Sequence, residues 1–240
     1  MRVLPILAEG ARELGIELTQ QQLERFQRFY ELLTDWAERV SLTGVRDEEG
    51  VQRRHFLESA ALVNVLQDEG FTLLDRLLID VGSGAGIPGI PLKILEPSLR
   101  LTLVEAKQRK SEFLSAVLPE LGMTDVLVIT RRAEEVAHDP RHREQYDFAV
   151  AKALAPLRTL AELTLPFVHM GGLVVAPKGK EAENEVKEAR IALETLKGSV
   201  RSIAPLPLSQ PAQNVVLIDK DLPTPYRFPR RPGVPAKRPL

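Results

Sequence analysis

The residues best suited to chemistry are a carboxylate and a set of glycines at the end of one apolar segment. Asp80 stands within the β-branched, apolar segment 77–81, which predicts a buried strand. Four glycines follow within eight positions: Gly82, Gly84, Gly86 and Gly89. They predict a turn whose backbone can approach a ligand closely, and a helix over 87–95 would point free N–H groups at that ligand. The stretch therefore predicts a nucleotide-type binding site.

Two interpretations of this loop compete. Residues 84–89 fit the dinucleotide pattern G-x-G-x-x-G. In that pattern the first glycine directly follows the strand, and here that residue is Gly82. Counted from Gly82 the spacing is G-x-G-x-G, with Ile87 in the place of the third glycine, so the loop resembles that of class I S-adenosylmethionine (SAM) methyltransferases. Asp80, costly in a buried strand unless it is bonded, either caps the turn or contacts the cofactor.

Composition is typical of a globular protein with a sizeable core. The chain has 240 residues, is 44% hydrophobic and has no cysteine, which suits the cytoplasm and excludes disulfides and thiolate metal sites. No segment reaches the roughly 18 apolar residues of a membrane span, and residues 1–10 lack signal-peptide character. The net charge of −1 means that nucleic acid must be bound by a local patch. We expect a monomer without metal.

The hydrophobic pattern divides the chain into three parts. Residues 1–72 have helical spacing, with a capping box at Thr19–Gln22, and form an N-terminal helical extension. Residues 73–220 alternate strands and helices, which is typical of a parallel α/β sheet. Residues 221–240 are basic and proline-rich, so we expect them to stay outside the core, either disordered or as an extended arm that contacts phosphates.

The alternating part predicts seven strands and the helices between them. The strands are expected at Leu77–Val81, Arg100–Glu105, Asp125–Thr130, Tyr146–Ala151, Gly172–Pro177, Val200–Pro205 and Asn214–Asp219. The helices are expected at Ile87–Leu95, Lys107–Leu118, Leu157–Val168 and Glu181–Leu196. The last two strands have no helix between them and should pair antiparallel. The expected fold is a seven-stranded, mostly parallel Rossmann-like α/β sheet with an antiparallel terminal hairpin.

Candidate ligand-binding residues follow the ends of successive strands, where such sheets bind their ligands. Glu105 ends the second strand and could accept both ribose hydroxyls. Ala133 and Glu134 follow the third strand, where a backbone N–H and a carboxylate could meet adenine. Lys152 follows the fourth strand beside the reacting end of the cofactor, and Lys178-Gly179-Lys180 follows the fifth.

Four stretches together resemble the ribosomal RNA small subunit methyltransferase G family, also called glucose-inhibited division protein B, over nearly the whole chain. They are Arg54–Ser59, Asp80–Leu92, Lys152–Leu157 and Phe228–Pro235. The extension of the glycine loop by Ile-Pro-Gly-Ile-Pro-Leu is more specific than the generic motif. The chain departs from the family after Trp36, where the usual asparagines are absent. It also carries Lys152 where arginine is common, which keeps the charge but loses the bidentate fork.

The resemblance implies methylation of N7 of one guanosine in the decoding-site hairpin of 16S rRNA. SAM is the implied methyl donor and S-adenosylhomocysteine the product, and the substrate is naked RNA, an assembly intermediate or the small subunit. N7 presents a lone pair in the base plane, so no general base is needed and positioning can supply roughly 7–11 kcal/mol.

The resemblance also implies the residues of the site. Those expected to bind the cofactor are Asp80, Gly82, Gly84, Ile87, Glu105, Ala106, Lys107, Ala133, Glu134 and Lys152, and Lys152 is also the catalytic candidate. Those expected to contact RNA are Arg54, His55, Arg230 and Arg231.

Other functions stay open when the residues alone are considered. An NAD-dependent oxidoreductase would use the same strand, loop and Glu105, but no proton-relay residue is evident. A non-catalytic RNA-binding module would use Arg53, Arg54 and the basic C-terminal part but leaves the glycine loop unexplained. A class I methyltransferase acting on another RNA, a protein or a small molecule fits the same residues, so the choice of 16S rRNA rests on the resemblance.

Overall fold

The protein forms one twisted seven-stranded sheet between helices. The computed structural model describes residues 4–45 and 47–240, and residues 1–3 and 46 of the expected N-terminal extension lie outside it. The strands are β1 Leu77–Val81, β2 Arg100–Val104, β3 Leu127–Ile129, β4 Tyr146–Val150, β5 Val168–Lys178, β6 Gly198–Leu206 and β7 Gln213–Lys220. Their order across the sheet is β3-β2-β1-β4-β5-β7-β6. Strands β1 to β5 pair in parallel and β7 runs antiparallel to both β5 and β6, which confirms the predicted fold class.

Helices precede and connect the strands. They are α1 Pro5–Glu13, α2 Gln20–Ala37, α3 Glu48–Val51, α4 Glu58–Asp68, α5 Gly89–Leu95, α6 Gln108–Glu120, α7 Ala133–Val136, α8 Leu157–Thr164, α9 Ala182–Leu196 and α10 Val234–Lys237. A π-helical turn, Gln52–Leu57, joins α3 to α4, and a 3₁₀ turn, Leu165–Phe167, follows α8. The predicted capping box is confirmed, because Thr19 Oγ1 accepts from the Gln22 N–H while the Gln22 side chain accepts from the Thr19 N–H. None of the helices formed by the described residues is long and apolar enough to cross a membrane.

Three predicted boundaries differ from the structure for local reasons. Strand β5 begins at Val168, four residues before the predicted start, because the strand continues through the pair Gly171-Gly172, a pair that usually marks a turn. The helix predicted to reach Val168 ends at Thr164, just before Pro166, which has no N–H to continue it. Helix α5 begins at Gly89 because Pro88 occupies its N-cap.

Each face of the sheet has its own hydrophobic cluster. On one face Phe26 of α2 and Phe56 of the π turn pack with α5, α6 and inward residues such as Leu78. On the other face Ile79 packs with α8, α9 and Phe228 from the C-terminal segment. The N-terminal helices therefore share a core with the sheet, and the boundary drawn at residue 72 does not separate two cores.

The expectation that residues 222–240 stay outside the core is wrong. Phe228 is only 4% exposed and lies in the second cluster. The guanidinium of Arg143 donates to the carbonyl oxygens of Thr224 at 2.8 Å and of Phe228 at 2.9 Å. Prolines remove N–H groups from this segment but leave its carbonyls, which buried structure must satisfy. Arg143, which is distant in sequence, satisfies these carbonyls.

Arg230 fixes the same segment through a buried ion pair with α8. Its Nε and Nη2 donate to the two carboxylate oxygens of Glu162 at 2.9 and 2.6 Å, and its backbone N–H donates to the same group at 2.8 Å. Glu162 is 0% exposed. This geometry makes Arg230 an anchor of the segment, and the RNA contact that the resemblance implied for it stays a prediction.

Replacing Arg230 by alanine should therefore destabilise the fold. The Arg230→Ala variant leaves the Glu162 carboxylate buried without its counter-charge, which we expect to lower the free energy of unfolding by about 3–5 kcal/mol. Arg231→Ala, which removes the neighbouring exposed cation, should change it by less than about 0.5 kcal/mol. Denaturant unfolding of both variants tests this, and equal losses in the two would contradict it.

Candidate functional site

A cavity of about 390 Å³ opens at the carboxyl ends of the strands. It lies where the strand order switches, since β2 and β3 extend the sheet on one side of β1 and β4 and β5 on the other. Seven of the ten residues expected to bind the cofactor line it: Gly82, Gly84, Glu105, Ala106, Lys107, Ala133 and Glu134. The rule that ligands bind at strand ends therefore located most of this cavity.

The glycine loop presents backbone to the cavity because its glycines adopt conformations that side chains disfavour. The φ angles of Gly82 and Gly84 are +73° and +59°. A Cβ at Gly82 would lie 2.5 Å from Leu154 Cδ1, whereas a Cβ at Gly84 meets no atom closer than 3.8 Å. The Gly82 N–H donates to the carbonyl of Val104 at 2.8 Å and holds the loop against β2. The result is a cradle of bare backbone that a ligand can approach.

Glu105 supports this loop from the end of β2. It is 7% exposed, and its carboxylate accepts from the Gly84 N–H at 3.0 Å and from the Lys107 N–H at 2.7 Å. Two backbone bonds hold the side chain in one position and stabilise its charge. Since a carboxylate has about four lone-pair sites, capacity remains for further donors such as ribose hydroxyls.

The C-terminal segment forms one wall of the same cavity. Gly233, Pro235 and Ala236 line it. The Gly233 N–H donates to Glu134 Oε1 at 2.8 Å, and Thr159 Oγ1 donates to the Pro235 carbonyl at 3.1 Å. Glu134 therefore holds a segment about a hundred residues away in sequence against the cavity. No local pattern in the sequence indicated this wall.

Two of the expected cofactor residues lie behind the loop and do not line the cavity. Asp80, 1% exposed, accepts from the Gly89 N–H at 3.0 Å at the start of α5, so the capping interpretation is the correct one. The pKa of Asp80 is raised to about 7, mainly by burial, which the Gly89 bond opposes and the charge of Glu105 reinforces. Ile87 packs in the core beneath α5. Both residues shape the loop and leave ligand contact to its glycines.

A second cavity, of about 650 Å³, adjoins the first at Ala153, which lines both. Four cations line it: Arg54, Lys152, Lys178 and Lys180. Ala153 has a φ of +54° although it is not a glycine. Such strained residues are concentrated at functional sites, where the surrounding structure holds them in place.

Lys152 lines the second cavity and not the first, and the cofactor contact expected of it stays a prediction. Its Nζ donates to Glu58 Oε2 at 2.7 Å and to the carbonyl of Arg54 at 2.5 Å. Burial lowers the pKa of Lys152, and the charge of the buried Glu58 opposes that shift. Lys152 thus ties the loop after β4 to the π turn that carries Arg54.

The four expected RNA contacts differ in exposure. Arg54 is exposed at the second cavity, and Arg231 is exposed two residues before the wall residue Gly233. His55 is 8% exposed and shares a 2.8 Å hydrogen bond between its Nε2 and Thr43 Oγ1. His55 is therefore buried and Arg230 is paired with Glu162, whereas the contacts with RNA expected of them stay predictions.

Several residues at the two cavities were missed in the sequence. Lys110, Arg131 and Arg132 line the first cavity, and Glu58 lies beside the second. Lys110, Arg131 and Arg132 could have been predicted, because the basic runs 107–110 and 131–132 follow two strand ends. Among the residues that the structure describes, no group of three or more histidine, aspartate or glutamate side chains could hold a metal ion.

Comparison with known proteins identifies a family over most of the chain. A family model described as rRNA small subunit methyltransferase G matches residues 22–219. A "Ribosomal RNA small subunit methyltransferase G" from Roseiflexus sp. (strain RS-1) is 45% identical over 239 residues, covering 99% of this chain and 100% of its own length. Relatives of the same name from Alkaliphilus metalliredigens and Leuconostoc citreum are 39% and 42% identical, with 98% and 95% of each chain covered.

Solved structures share the fold at low sequence identity. A putative RNA methyltransferase from Pyrococcus horikoshii superposes with a TM-score of 0.54 at 13% identity, over 82% of this chain and all of the other. A putative SAM-dependent methyltransferase from Streptococcus mutans gives 0.52 at 13%, over 68% of this chain and 49% of the other. At these identities the likeness shows the fold alone, and the fold is that of class I methyltransferases.

The buried position of His55 predicts a specific pH dependence of stability. Burial, with a contribution from the charge of Lys152, lowers the pKa of His55 from 6.5 to about 4. Unfolding then takes up a proton between pH 6.5 and 4, so the contribution of His55 to stability is lost as the pH falls through that window. His55→Gln can keep the bond to Thr43 and abolishes the titration.

The stability of His55→Gln relative to wild type should therefore be greater at pH 4 than at pH 7, by roughly 3 kcal/mol. Denaturant unfolding across this range measures the difference, and Lys187→Ala, which removes an exposed lysine of α9, serves as the control with a flat difference. A flat difference for His55→Gln as well would contradict the buried, neutral histidine.

Proposed function

The chain belongs to the ribosomal RNA small subunit methyltransferase G family, and from that membership we propose that it transfers the methyl group of SAM to N7 of one guanosine in 16S rRNA. The observation that carries the proposal is the adjacency of two cavities that share Ala153. One has the features of a nucleotide-type cofactor site, and the other is surrounded by cations. A methyl donor and an RNA acceptor need such neighbouring sites.

The first cavity fits SAM in size and in chemistry. Its volume of about 390 Å³ lies within the range of small-molecule sites. The bare backbone of Gly82 and Gly84 allows close approach, the Glu105 carboxylate can accept from a ribose diol, and Ala133 with Glu134 offers a backbone N–H and a carboxylate for adenine. SAM, when bound, supplies a methyl group on a positively charged sulfur that a nucleophile can attack.

The second cavity favours an acceptor that does not have to lose a proton. Its nearby carboxylates are engaged: Glu58 is paired with Lys152 and Glu185 with Lys178, each at 2.7 Å. Glu185 also accepts from the Leu157 N–H. These carboxylates are therefore already engaged by cations and by a backbone N–H. Guanine N7 gains a methyl group through its in-plane lone pair and needs no base.

The contribution of the protein is therefore positioning. The loop 151–155 separates the two cavities, and its position is set by the bonds of Lys152 to the π turn and by the Lys178 Nζ bond to the Ala155 carbonyl at 2.7 Å. Arg54 and Lys180 lie where phosphates of a bound RNA could be neutralised. Holding acceptor and donor in line can supply roughly 7–11 kcal/mol of the barrier. We assign Lys152 a positioning role on this basis.

Methyl transfer itself is tested with purified protein and methyl-labelled SAM. The acceptors are a 16S rRNA transcript, small-subunit assembly intermediates and small subunits from a strain that lacks the modification. We expect label in the 16S rRNA of at least one acceptor, and borohydride–aniline treatment should cleave that RNA at one guanosine, because N7-methylguanine is cationic and readily reduced. Label that resists the treatment contradicts N7, and label only in transfer RNA or protein contradicts the substrate.

Cofactor identity is tested by calorimetry on wild type and on two glutamate variants. SAM should bind and NAD should not. Glu105→Ala should weaken SAM binding by about 1–3 kcal/mol, the cost of losing a charged acceptor, and should leave the rate at saturating SAM nearly unchanged because the ribose is remote from the sulfur. Glu112→Ala, an exposed carboxylate on α6 bonded to Gln108, should alter neither quantity. NAD binding without SAM binding would support the oxidoreductase alternative.

A further inference from the structure

The cofactor cavity is lined by more positive than negative side chains. Its cations are Lys107, Lys110, Arg131 and Arg132. Its two acids, Glu105 and Glu134, are buried and already accept backbone N–H bonds. The whole chain has a net charge of −1, so this local excess of cations is not a general property of the surface.

The cofactor does not account for these cations. SAM carries a sulfonium and an ammonium against one carboxylate, so its net charge is positive and a ring of cations opposes its binding. A different, negatively charged ligand is needed to explain them.

Interactions within the chain account for Lys110, whose Nζ donates to the Leu42 carbonyl at 3.2 Å, but not for the other three cations. Arg131 Nε lies 3.8 Å from Glu135 and both side chains are about half exposed, so the pair contributes almost nothing to stability. Over residues 4–45 and 47–240, no ion pair involves Lys107 or Arg132. Lys107 also occupies the N-cap of α6, where the helix dipole disfavours a cation.

The cations continue from the first cavity into the second. Ala153 lines both, and Arg54, Lys178 and Lys180 line the second. A polyanion that reaches the second cavity can therefore lie across the mouth of the first without leaving a positively charged surface. RNA has the regular spacing of phosphates that such a surface complements.

We propose that the backbone of the substrate RNA crosses the mouth of the cofactor cavity, where Lys107, Arg131 and Arg132 bind its phosphates, and that the bound RNA closes the cavity over the cofactor. This inference rests on the proposed function, because the ligand is the RNA substrate. It has a kinetic consequence: the cofactor must enter before the RNA, and S-adenosylhomocysteine leaves after it.

The first test measures the affinity for a 16S rRNA transcript over a series of salt concentrations. Each lost phosphate contact makes the slope of log affinity against log salt shallower by about 0.7–0.9. Lys107→Ala/Arg132→Ala should therefore lower the slope by about 1.4–1.8 and weaken binding roughly 25- to 60-fold near 0.1 M salt. Its SAM affinity without RNA should not fall, because SAM is net positive and these cations oppose its binding. The charge-conserving Lys107→Arg/Arg132→Lys should keep the wild-type slope.

A matched control removes two exposed cations from the opposite end of the sheet. Arg100 begins β2, about 16 Å from the end of that strand at Glu105. Lys197 precedes β6 in a left-handed conformation, with a φ of +68°, that asparagine tolerates. Arg100→Ala/Lys197→Asn lowers the net charge equally and should leave both the slope and the SAM affinity unchanged.

The second test measures how fast labelled S-adenosylhomocysteine leaves the protein with and without saturating RNA. RNA should slow its release from wild type several-fold, and much less from Lys107→Ala/Arg132→Ala saturated at low salt. A wild-type salt slope in that variant, or release that RNA does not alter in wild type, overturns the inference. A fall in SAM affinity with an unchanged slope also overturns it, because the cations would then hold the cofactor. If wild type neither binds nor methylates 16S rRNA, the proposed function fails as well.

Discussion

The site depends on buried carboxylates that accept backbone N–H groups from irregular segments. Asp80 holds the start of α5, Glu105 holds the glycine loop, and Glu134 and Glu162 hold the C-terminal segment through the N–H groups of Gly233 and Arg230. Turns rich in glycine and proline have no ladder or helix to satisfy their polar backbone. A charged acceptor makes a stronger bond than a neutral one, so a few side chains determine the shape of the cavity where apolar packing cannot.

The sheet could be predicted from local sequence because a short β-branched, apolar run between turn residues indicates a strand. All seven strands were found in this way, and the topological rule for open α/β sheets then located most of the cofactor cavity. Asp80 and Ile87, also expected to bind the cofactor, do not line that cavity, since a motif contains residues that shape a loop as well as residues that touch its ligand. Spacing alone does not show which residues shape the loop and which touch the ligand. The bond from the Gly89 N–H to Asp80 shows that Asp80 shapes the loop.

Composition gave a wrong expectation for the C-terminal segment, because long-range contacts determine where that segment packs. The C-terminal segment lacks the apolar content of a core, yet Phe228 is buried, and Arg143 satisfies its carbonyls from about 80 residues away in sequence. Arg230 and His55 were expected to contact RNA because the resemblance implied it, and their long-range bonds were not foreseen. Their partners, Glu162 and Thr43, carry no pattern in the sequence that links them to either residue. Only the three-dimensional arrangement brings them together.

Around the first cavity, charge is separated by depth, and that separation suits the two ligands of opposite sign that we propose. The carboxylates around the cofactor cavity are buried, so they interact with a cationic ligand with little screening. The exposed cations Lys107, Arg132 and Arg54 face water, where a Debye length of about 8 Å limits their field to a nearby polyanion. A chain with a net charge of −1 can thus have a negative interior for the cofactor beneath a positive rim for RNA. The net charge of the chain predicts neither the negative interior nor the positive rim. Both follow from the burial of the individual charged groups.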